Sequence, residues 1–274
     1  MARVARFSLA GTIGLGALLG AGWLGLRTGP APFPMPATPG EMSETAELPA
    51  DLPAPVLRYF SAVVGDHLPI VRSAIVTGRG HLRLLGLEMP ARFRFTHDAG
   101  RAYRHDIEVT WFGAPILTVT ETYIDGHARL ALPFGVVENE PKVDLAANLS
   151  LWGESCWLPS VLATDPRVRW EAIDAMTAHL IVPFGPAEDS LTIRFDESTG
   201  LIREMEALRF KATADETKTP WRIEPLGWQM FDGVRVPSPV ALTWEDEGAP
   251  WLVVTVDAVA YNVDVSQSLS SSDR

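Results

Sequence analysis

The sequence is poor in cysteine and in charged residues. Its 274 residues include one cysteine, Cys156, and 21% of them are charged. A single cysteine excludes an internal disulfide framework and a cysteine-rich zinc site. We therefore expect Cys156 to behave as a small buried hydrophobe. The chain is 47% hydrophobic, and its length is sufficient to bury a substantial core.

Basic residues are scarce beyond the amino terminus. Three of the 23 basic residues, Arg3, Arg6 and Arg27, lie in the first 27 positions, which contain no acidic residue. The rest of the chain therefore has 20 basic against 34 acidic residues. Because phosphate binding requires a basic face, this balance argues against nucleic acid as a partner.

Motifs for common enzyme chemistry are missing. The sequence has no GxSxG, no P-loop and no GxGxxG before a helix, and its six histidines form no HxH or HExxH pair. In His97-Asp98 and His105-Asp106 a carboxylate follows an imidazole, but adjacent residues on a strand point to opposite faces. We therefore place these histidines on the wet face or at turns, and predict no catalytic residue, no metal ligand and no cofactor.

An uncharged and mostly apolar run covers residues 7–26 (FSLAGTIGLGALLGAGWLGL). Twenty helical residues span ~30 Å, the thickness of a bilayer core. Arg3 and Arg6 precede the run, so the positive-inside rule places the amino terminus in the cytoplasm and the main domain outside it. We predict a signal anchor or transmembrane helix over residues 1–27, with secretion after signal cleavage as the alternative.

The segments that flank the main domain have biased compositions. Residues 28–55 contain eight prolines, which predicts an extended linker that holds the domain away from the membrane. Residues 264–274 are serine-rich and are predicted to be disordered. The domain itself is expected over residues 56–263.

Within that domain the hydrophobic pattern has the period of a strand. Apolar and polar residues alternate over residues 71–84, 89–95 and 102–111, which is typical of strands with one buried face. Turn residues such as Asp98-Ala99-Gly100 separate the runs. About eleven or twelve strands are predicted in all; the later ones lie near 114–124, 127–137, 168–173, 177–184, 189–196, 201–211, 220–231, 234–245 and 251–262.

One helical segment interrupts the strands. Residues 142–155 lack proline and place apolar residues at helical spacing, and a shorter amphipathic helix is expected over 56–65. No alternation of strands and helices occurs, so the sheet should be antiparallel, and a sheet of this size must curl. We predict a mainly β fold, a curled half-barrel whose concave side is plugged by the mid-chain helix.

Six blocks of sequence resemble a bacterial family of uncharacterised membrane-anchored domains. The blocks are residues 52–60 (LPAPVLRYF), 157–159 (WLP), 168–174 (VRWEAID), 195–196 (FD) with 200–201 (GL), 219–221 (TPW) and 231–237 (FDGVRVP). The family pattern has Arg-Tyr in the mid-chain helix, where this chain has Ser150 and Leu151. The resemblance implies a fold similar to LolA-like lipoprotein carriers, a half-closed sheet around an apolar cavity, although a fold alone does not fix a function.

Tryptophan is abundant, with nine residues. These side chains either line the cavity of the curved sheet or simply fill the core, and the sequence leaves both alternatives open. Glu121, between apolar residues on a strand, faces either the cavity or solvent. Glu154 matches an acidic position of the family and could contact a ligand head group. The candidate ligand-binding residues are Trp111, Glu121, Trp152, Glu154, Trp157, Trp170 and Trp221.

Three functions are compatible with these features. The first is a non-enzymatic extracytoplasmic domain that binds a hydrophobic ligand such as a lipid or acyl chain. The second is a structural or protein-interaction module of the cell envelope whose core is filled by aromatic side chains. The third is a hydrolase that uses Glu121, Glu154 and a histidine.

Overall fold

The computed structural model describes residues 20–36, 40–65 and 67–270. The predicted signal anchor over residues 7–26 lies mostly outside this part of the chain, and residues 20–27 are helical. Among the described residues, no helix has both the length and the apolar character needed to cross a bilayer.

After the helical residues 20–27, the described residues form seventeen strands and four α-helices. The strands are β1 (Thr45–Ala46), β2 (Leu68–Pro69), β3 (Ser73–Leu84), β4 (Leu87–Asp98), β5 (Ala102–Trp111), β6 (Ala114–Ile124), β7 (His127–Leu132), β8 (Gly135–Glu138), β9 (Arg169–Ala172), β10 (Thr177–Phe184), β11 (Ala187–Phe195), β12 (Ile202–Arg209), β13 (Thr219–Pro225), β14 (Trp228–Phe231), β15 (Val234–Pro237), β16 (Val240–Trp244) and β17 (Leu252–Tyr261). The helices are α1 (Ala54–Val64), α2 (Pro141–Glu154), α3 (Ser160–Thr164) and α4 (Ser266–Ser270).

Thirteen of these strands form one antiparallel sheet. Its order is β8-β7-β6-β5-β4-β3-β17-β16-β13-β12-β11-β10-β9, so β8 and β9 are its two edges. The first long strand, β3, pairs with the last strand, β17, in the middle of the sheet. The remaining strands form two small sheets, β1 with β2 and β14 with β15.

The sheet must curl because one helix touches both of its halves. Helix α2 packs against β6 and β7 and also against β10, β11 and β12. Strands β6 and β11 are eight places apart in the sheet, which is about 38 Å if the sheet were flat at about 4.8 Å per strand. A helix with side chains is only about 10 Å wide. The large, open antiparallel sheet around a mid-chain helix is therefore confirmed, and we call the face toward α2 the concave face.

Helix α2 is buried along most of its length. A proline in the first turn starts it, where the missing N–H costs nothing, and the next proline, Pro159, comes after it has ended. Residues 146–153 are all buried, which is the pattern of a helix surrounded by the rest of the core. Its carboxyl end is continued by a short 3₁₀ turn over Ser155–Trp157.

Three predicted strands are broken in the structure, which raises the number of strands above the expected eleven or twelve. The predicted strand 127–137 is interrupted at Pro133, 220–231 after Pro225, and 234–245 at Ser238-Pro239. Proline cannot donate a hydrogen bond to the ladder, so it favours a strand end or a break.

The proline-rich segment lies against the sheet instead of holding the domain at a distance. The ring of Phe33 is 4.4 Å from the guanidinium of Arg92 and 5.1 Å from that of Arg94. The hydroxyl of Thr77 donates to the sulfur of Met35 at 3.1 Å. These contacts place residues 28–36 on the convex face, opposite α2.

The serine-rich tail is partly ordered. Residues 266–270 form α4, and Val265 before it is buried, so the prediction of disorder from residue 264 onward is wrong for this part. The amide and hydroxyl groups of Ser266 both donate to Asp264, which caps the start of this short helix. Residues 271–274 lie outside the described residues.

Candidate functional site

The hairpin of β4 and β5 brings two histidines to the concave face. Phe95 lies opposite His105 and His97 lies opposite Tyr103 in the ladder. The imidazole of His105 is stacked on the ring of Tyr103, with centroids 4.1 Å apart. The prediction that His97 and His105 lie on the wet face or at turns is wrong, because they are 1% and 4% exposed.

Glu154, the last residue of α2, points its carboxylate between these two rings. Its Oε2 is 2.7 Å from Nε2 of His105 and 3.4 Å from Nε2 of His97. The side chain of Glu154 is only 12% exposed. The three side chains offer ligand atoms that all lie within 4.8 Å of one another, a spacing that one metal ion can bridge.

Glu121 on β6 lies directly opposite His105 in the next ladder. The hydroxyl of Tyr103 donates to Oε1 of Glu121 at 2.7 Å, and Oε2 is 3.9 Å from Nδ1 of His105. Of the two orientations considered for Glu121, the structure therefore has the one that faces the cavity, with 24% of the side chain exposed.

Arg209 at the end of β12 supplies a positive charge to the same region. Its Nη1 donates to Oγ of Ser150 at 3.1 Å. The guanidinium lies 4.3 Å from the centre of the Trp221 ring, within the range of a cation–π contact. Its Nε is buried and has no hydrogen-bond partner within the described part of the chain.

Burial dominates the protonation of the cluster. Removal from water raises the pKa of Glu154, and the neighbouring His97 and Arg209 oppose this only in part. Removal from water also lowers the pKa of both His97 and His105. Because a buried group avoids its charged form, both imidazoles are neutral at neutral pH and are able to act as metal ligands or hydrogen-bond acceptors.

A cavity opens beside this cluster, between the concave face and the end of α2. The volume of the cavity that the centre of a water molecule can occupy is ≈ 90 Å³. Its polar lining is formed by His105, Glu121, Ser150, Glu154 and Arg209, and Gly153 and Cys156 also line it. Its apolar lining is formed by Phe95, Ile107, Trp157, Trp221, Ile223, Val240, Leu242, Trp251, Leu252 and Val254.

Four of the seven candidate ligand-binding residues lie around this cavity. They are Glu121, Glu154, Trp157 and Trp221. Trp157 also donates from its indole N–H to the carbonyl of Pro237 at 3.1 Å, which fixes its ring. Their role in binding a ligand stays a prediction.

The other three candidates lie elsewhere. Trp111 is 42% exposed at the end of β5, and its indole N–H donates to the carbonyl of Gly22. Trp170 donates to the carbonyl of Leu162 beside α3. Trp152 is fully buried, but on a side of α2 that does not face the cavity.

The hydrophobic alternation of the strands contains a signal for the two histidines that the sequence analysis misplaced. The alternation that places Phe93 and Phe95 inside continues to His97, and the one that places Tyr103 and Ile107 inside includes His105. Following the strand period through these polar positions would have placed both histidines on the buried face. The sequence pattern could not show that Glu154 meets them.

Comparison with known proteins identifies a family. The profile of a family of unknown function, DUF6544, matches residues 41–255. The chain belongs to this family. The resemblance to an uncharacterised family is thereby confirmed, and no curated protein shows significant similarity to the chain.

Two solved structures have a similar outline. A LolA superfamily protein from Nitrosomonas europaea is 7% identical, with a TM-score of 0.48 over 79% of this chain and 96% of that one. A DUF1329 family protein from Desulfovibrio piger is 11% identical, with a TM-score of 0.43 over 73% of this chain and 90% of that one. Both are likenesses of outline, and neither supports an argument about function.

Proposed function

We propose that this domain binds a small amphiphilic ligand, with an apolar body and an oxygen-bearing head group, in the cavity of the concave face. The observation that carries the proposal is an apolar cavity lined by residues with unpaired N–H donors. Nε of Arg209 and the indole N–H groups of Trp221 and Trp251 are buried and lack a partner within the residues described. Buried donors without acceptors are rare in folded proteins, and a ligand oxygen would satisfy them.

The chemistry of the lining favours a lipid-like ligand. A carboxylate or ester carbonyl accepts hydrogen bonds from the guanidinium of Arg209, and such charge-assisted bonds are among the stronger ones. The remaining wall suits methylene groups. A cavity of ≈ 90 Å³ holds only a short apolar group, so a long acyl chain requires side chains between α2 and the sheet to move.

Native mass spectrometry followed by organic extraction tests this proposal. The protein is purified from membrane-containing cells, and we expect a co-purifying mass that is recovered as a lipid. Displacement of a fluorescent fatty acid then measures affinity. A clean apo mass together with no uptake of the added fatty acid would contradict the proposal.

A matched pair of variants locates the binding site. Ile107 lines the cavity, so Ile107→Trp should fill it and weaken probe binding at least tenfold. Leu208, on β12, is 56% exposed, so Leu208→Trp adds the same side chain outside the cavity and should leave binding unchanged. Equal effects of the two substitutions would place binding elsewhere.

A second candidate function is a structural or protein-interaction module. The observation in its favour is that aromatic side chains fill much of the concave face; Trp152, Trp157 and Trp221 are each at most 3% exposed. In that case the protein carries no ligand, and crosslinking in membranes should recover a protein partner through an exposed face or sheet edge.

We also propose that the domain lies outside the cytoplasm, held by residues 7–26. Arg3 and Arg6 before the apolar run support this orientation. Fusion of alkaline phosphatase after residue 270 should give active enzyme, because that reporter requires an oxidising compartment. A cytoplasmic reporter at the same position should be active instead if the orientation is wrong.

A further inference from the structure

Two imidazoles and one carboxylate converge on one another in the core, with ligand atoms that all lie within 4.8 Å of one another. Nε2 of both His97 and His105 faces Oε2 of Glu154, at 3.4 and 2.7 Å. The three residues come from β4, β5 and the end of α2, which are elements of the packed core. The fold therefore holds their positions rigidly.

One of these atoms lacks a partner. Nε2 of His97 is buried and makes no hydrogen bond to any described residue. Because the side chain is only 1% exposed, bulk solvent cannot supply the missing partner. The proton shared by His105 and Glu154 satisfies only those two groups. A cation at the centre would be bound by all three, including the orphaned nitrogen of His97.

We propose that His97, His105 and Glu154 form a binding site for one divalent transition-metal ion, with Zn²⁺ as its representative. Two neutral imidazoles and a carboxylate are ligands that such ions accept, and sites of this composition leave a further coordination position open. Because His105 and Glu154 also line the cavity, that open position faces the ligand cavity.

One of the two distances to Glu154 fits this assignment, and the other has to lengthen. Metal–ligand bonds of about 2.0–2.2 Å in tetrahedral geometry place the ligand atoms about 3.4 Å apart. The distance from His97 to Glu154 already has this value, at 3.4 Å. The shorter distance of 2.7 Å from His105 to Glu154 has to widen by about 0.7 Å when a metal replaces the shared proton.

Surrounding groups orient the ligands. Oε2 of Glu121 lies behind His105, 3.9 Å from the ring nitrogen that does not face Glu154. This distance is too long for a hydrogen bond, but a carboxylate on that side favours the tautomer with its proton on Nδ1, which leaves the Nε2 lone pair for the metal. Arg209 is the positively charged residue near the proposed metal site. It faces two carboxylates, those of Glu121 and Glu154, so the acidic groups of this region outnumber the basic one.

Metal titration of the full chain tests the site. The protein is purified with a histidine-free tag, stripped with a chelator and titrated with Zn²⁺ by calorimetry. We expect one ion per chain. Titration with Co²⁺ should give the visible absorption bands of tetrahedral coordination, a signature that a merely structural cluster cannot produce.

Variants identify the ligands. Glu154→Gln keeps the size of the side chain, whereas His97→Asn shortens it and removes Nε2, and each should weaken Zn²⁺ binding at least tenfold. His81 is exposed on β3, far from the cluster in the ladder, so His81→Ala should bind Zn²⁺ like the parent. Circular dichroism checks that each variant is folded.

Two results would overturn the proposal: no stoichiometric Zn²⁺ binding by the parent chain, or unchanged binding by both ligand variants. If the ligand variants do not fold, the test rests on the Co²⁺ spectrum of the parent chain. Bands of tetrahedral coordination support the site, and a spectrum identical to that of hydrated Co²⁺ excludes it. The fatty-acid displacement assay is also run on metal-free protein. Failure of the metal proposal therefore leaves the proposed binding of an amphiphilic ligand open to its own test.

Discussion

Nε2 of His105 lies 2.7 Å from Oε2 of Glu154, although 49 residues separate them in the sequence. The contact joins the β4–β5 hairpin to the last residue of α2, so it ties the sheet to the helix that plugs it. It also lies at the wall of the cavity. The same pair therefore bears on the stability of the fold and on the proposed chemistry.

Removing this carboxylate should destabilise the fold. Glu154→Ala leaves the buried imidazole of His105 without its hydrogen-bond partner, and an unpaired buried polar group costs about 1–3 kcal/mol. We expect the free energy of unfolding in urea, measured with a chelator present, to fall by about this amount. The control is Glu171→Ala, whose partner is the exposed Arg169, and it should leave the midpoint unchanged. Equal midpoints for parent and Glu154→Ala would show that the contact contributes nothing.

Gly78 on β3 should not tolerate a side chain. A Cβ atom there would lie 2.1 Å from the backbone oxygen of Thr255 on β17 and 2.6 Å from the ring of Phe93. Overpacking of this kind costs about 1–3 kcal/mol, so Gly78→Ala should lower the urea midpoint clearly. His81→Ala on the same strand serves as the control and should have little effect. A Gly78→Ala protein as stable as the parent would mean that β3 and β17 lie further apart than described.

The thiol of Cys156 should be unreactive in the folded protein. The thiolate is the reactive form, and burial raises the pKa of this thiol far above its usual value. The thiol is therefore still protonated at mildly alkaline pH, where a free cysteine has begun to ionise. Iodoacetamide should label Cys156 slowly in buffer and completely in urea, as followed by mass spectrometry. Rapid labelling under native conditions would show that α2 opens readily.

Phe33 should hold the proline-rich segment on the convex face. Its ring contacts the guanidinium groups of Arg92 and Arg94, and each such cation–π contact is worth about 0.5–1 kcal/mol at an exposed site. Phe33→Ala should therefore speed cleavage between residues 28 and 40 by a protease of broad specificity. Phe134 is 97% exposed, so Phe134→Ala should not change the cleavage rate. Similar rates for both variants would mean that Phe33 does not retain the segment.

The local pattern was sufficient to predict most of the sheet. The strand expected over residues 102–111 has those bounds, and the helix expected over 142–155 differs by one residue at each end. Both rest on short-range periodicity, which one face buried in the core enforces. The breaks at Pro133 and Pro225 were missed because an apolar pattern continues across them while the hydrogen-bond ladder does not.

The candidate site was predictable only in part, because its residues meet through long-range contacts. Glu121 and Glu154 were singled out as acidic residues in apolar surroundings, and both line the cavity. His97 and His105 were assigned to the wet face or to turns because no motif in the sequence supported a catalytic or metal-binding role for them. The position of Arg209 against Trp221 depends on how β12 faces α2, which no single segment of sequence encodes.

The pairing of β3 with β17 has a consequence for the order of events during synthesis. Residues 73–84 are made well before their partner, residues 252–261, which is the last of the described strands to leave the ribosome. Until then β3 presents a twelve-residue unpaired edge, which is a template for wrong association between nascent chains. We expect the domain to complete its fold only after residue 261 has left the ribosome, and to depend on a holding chaperone until that moment.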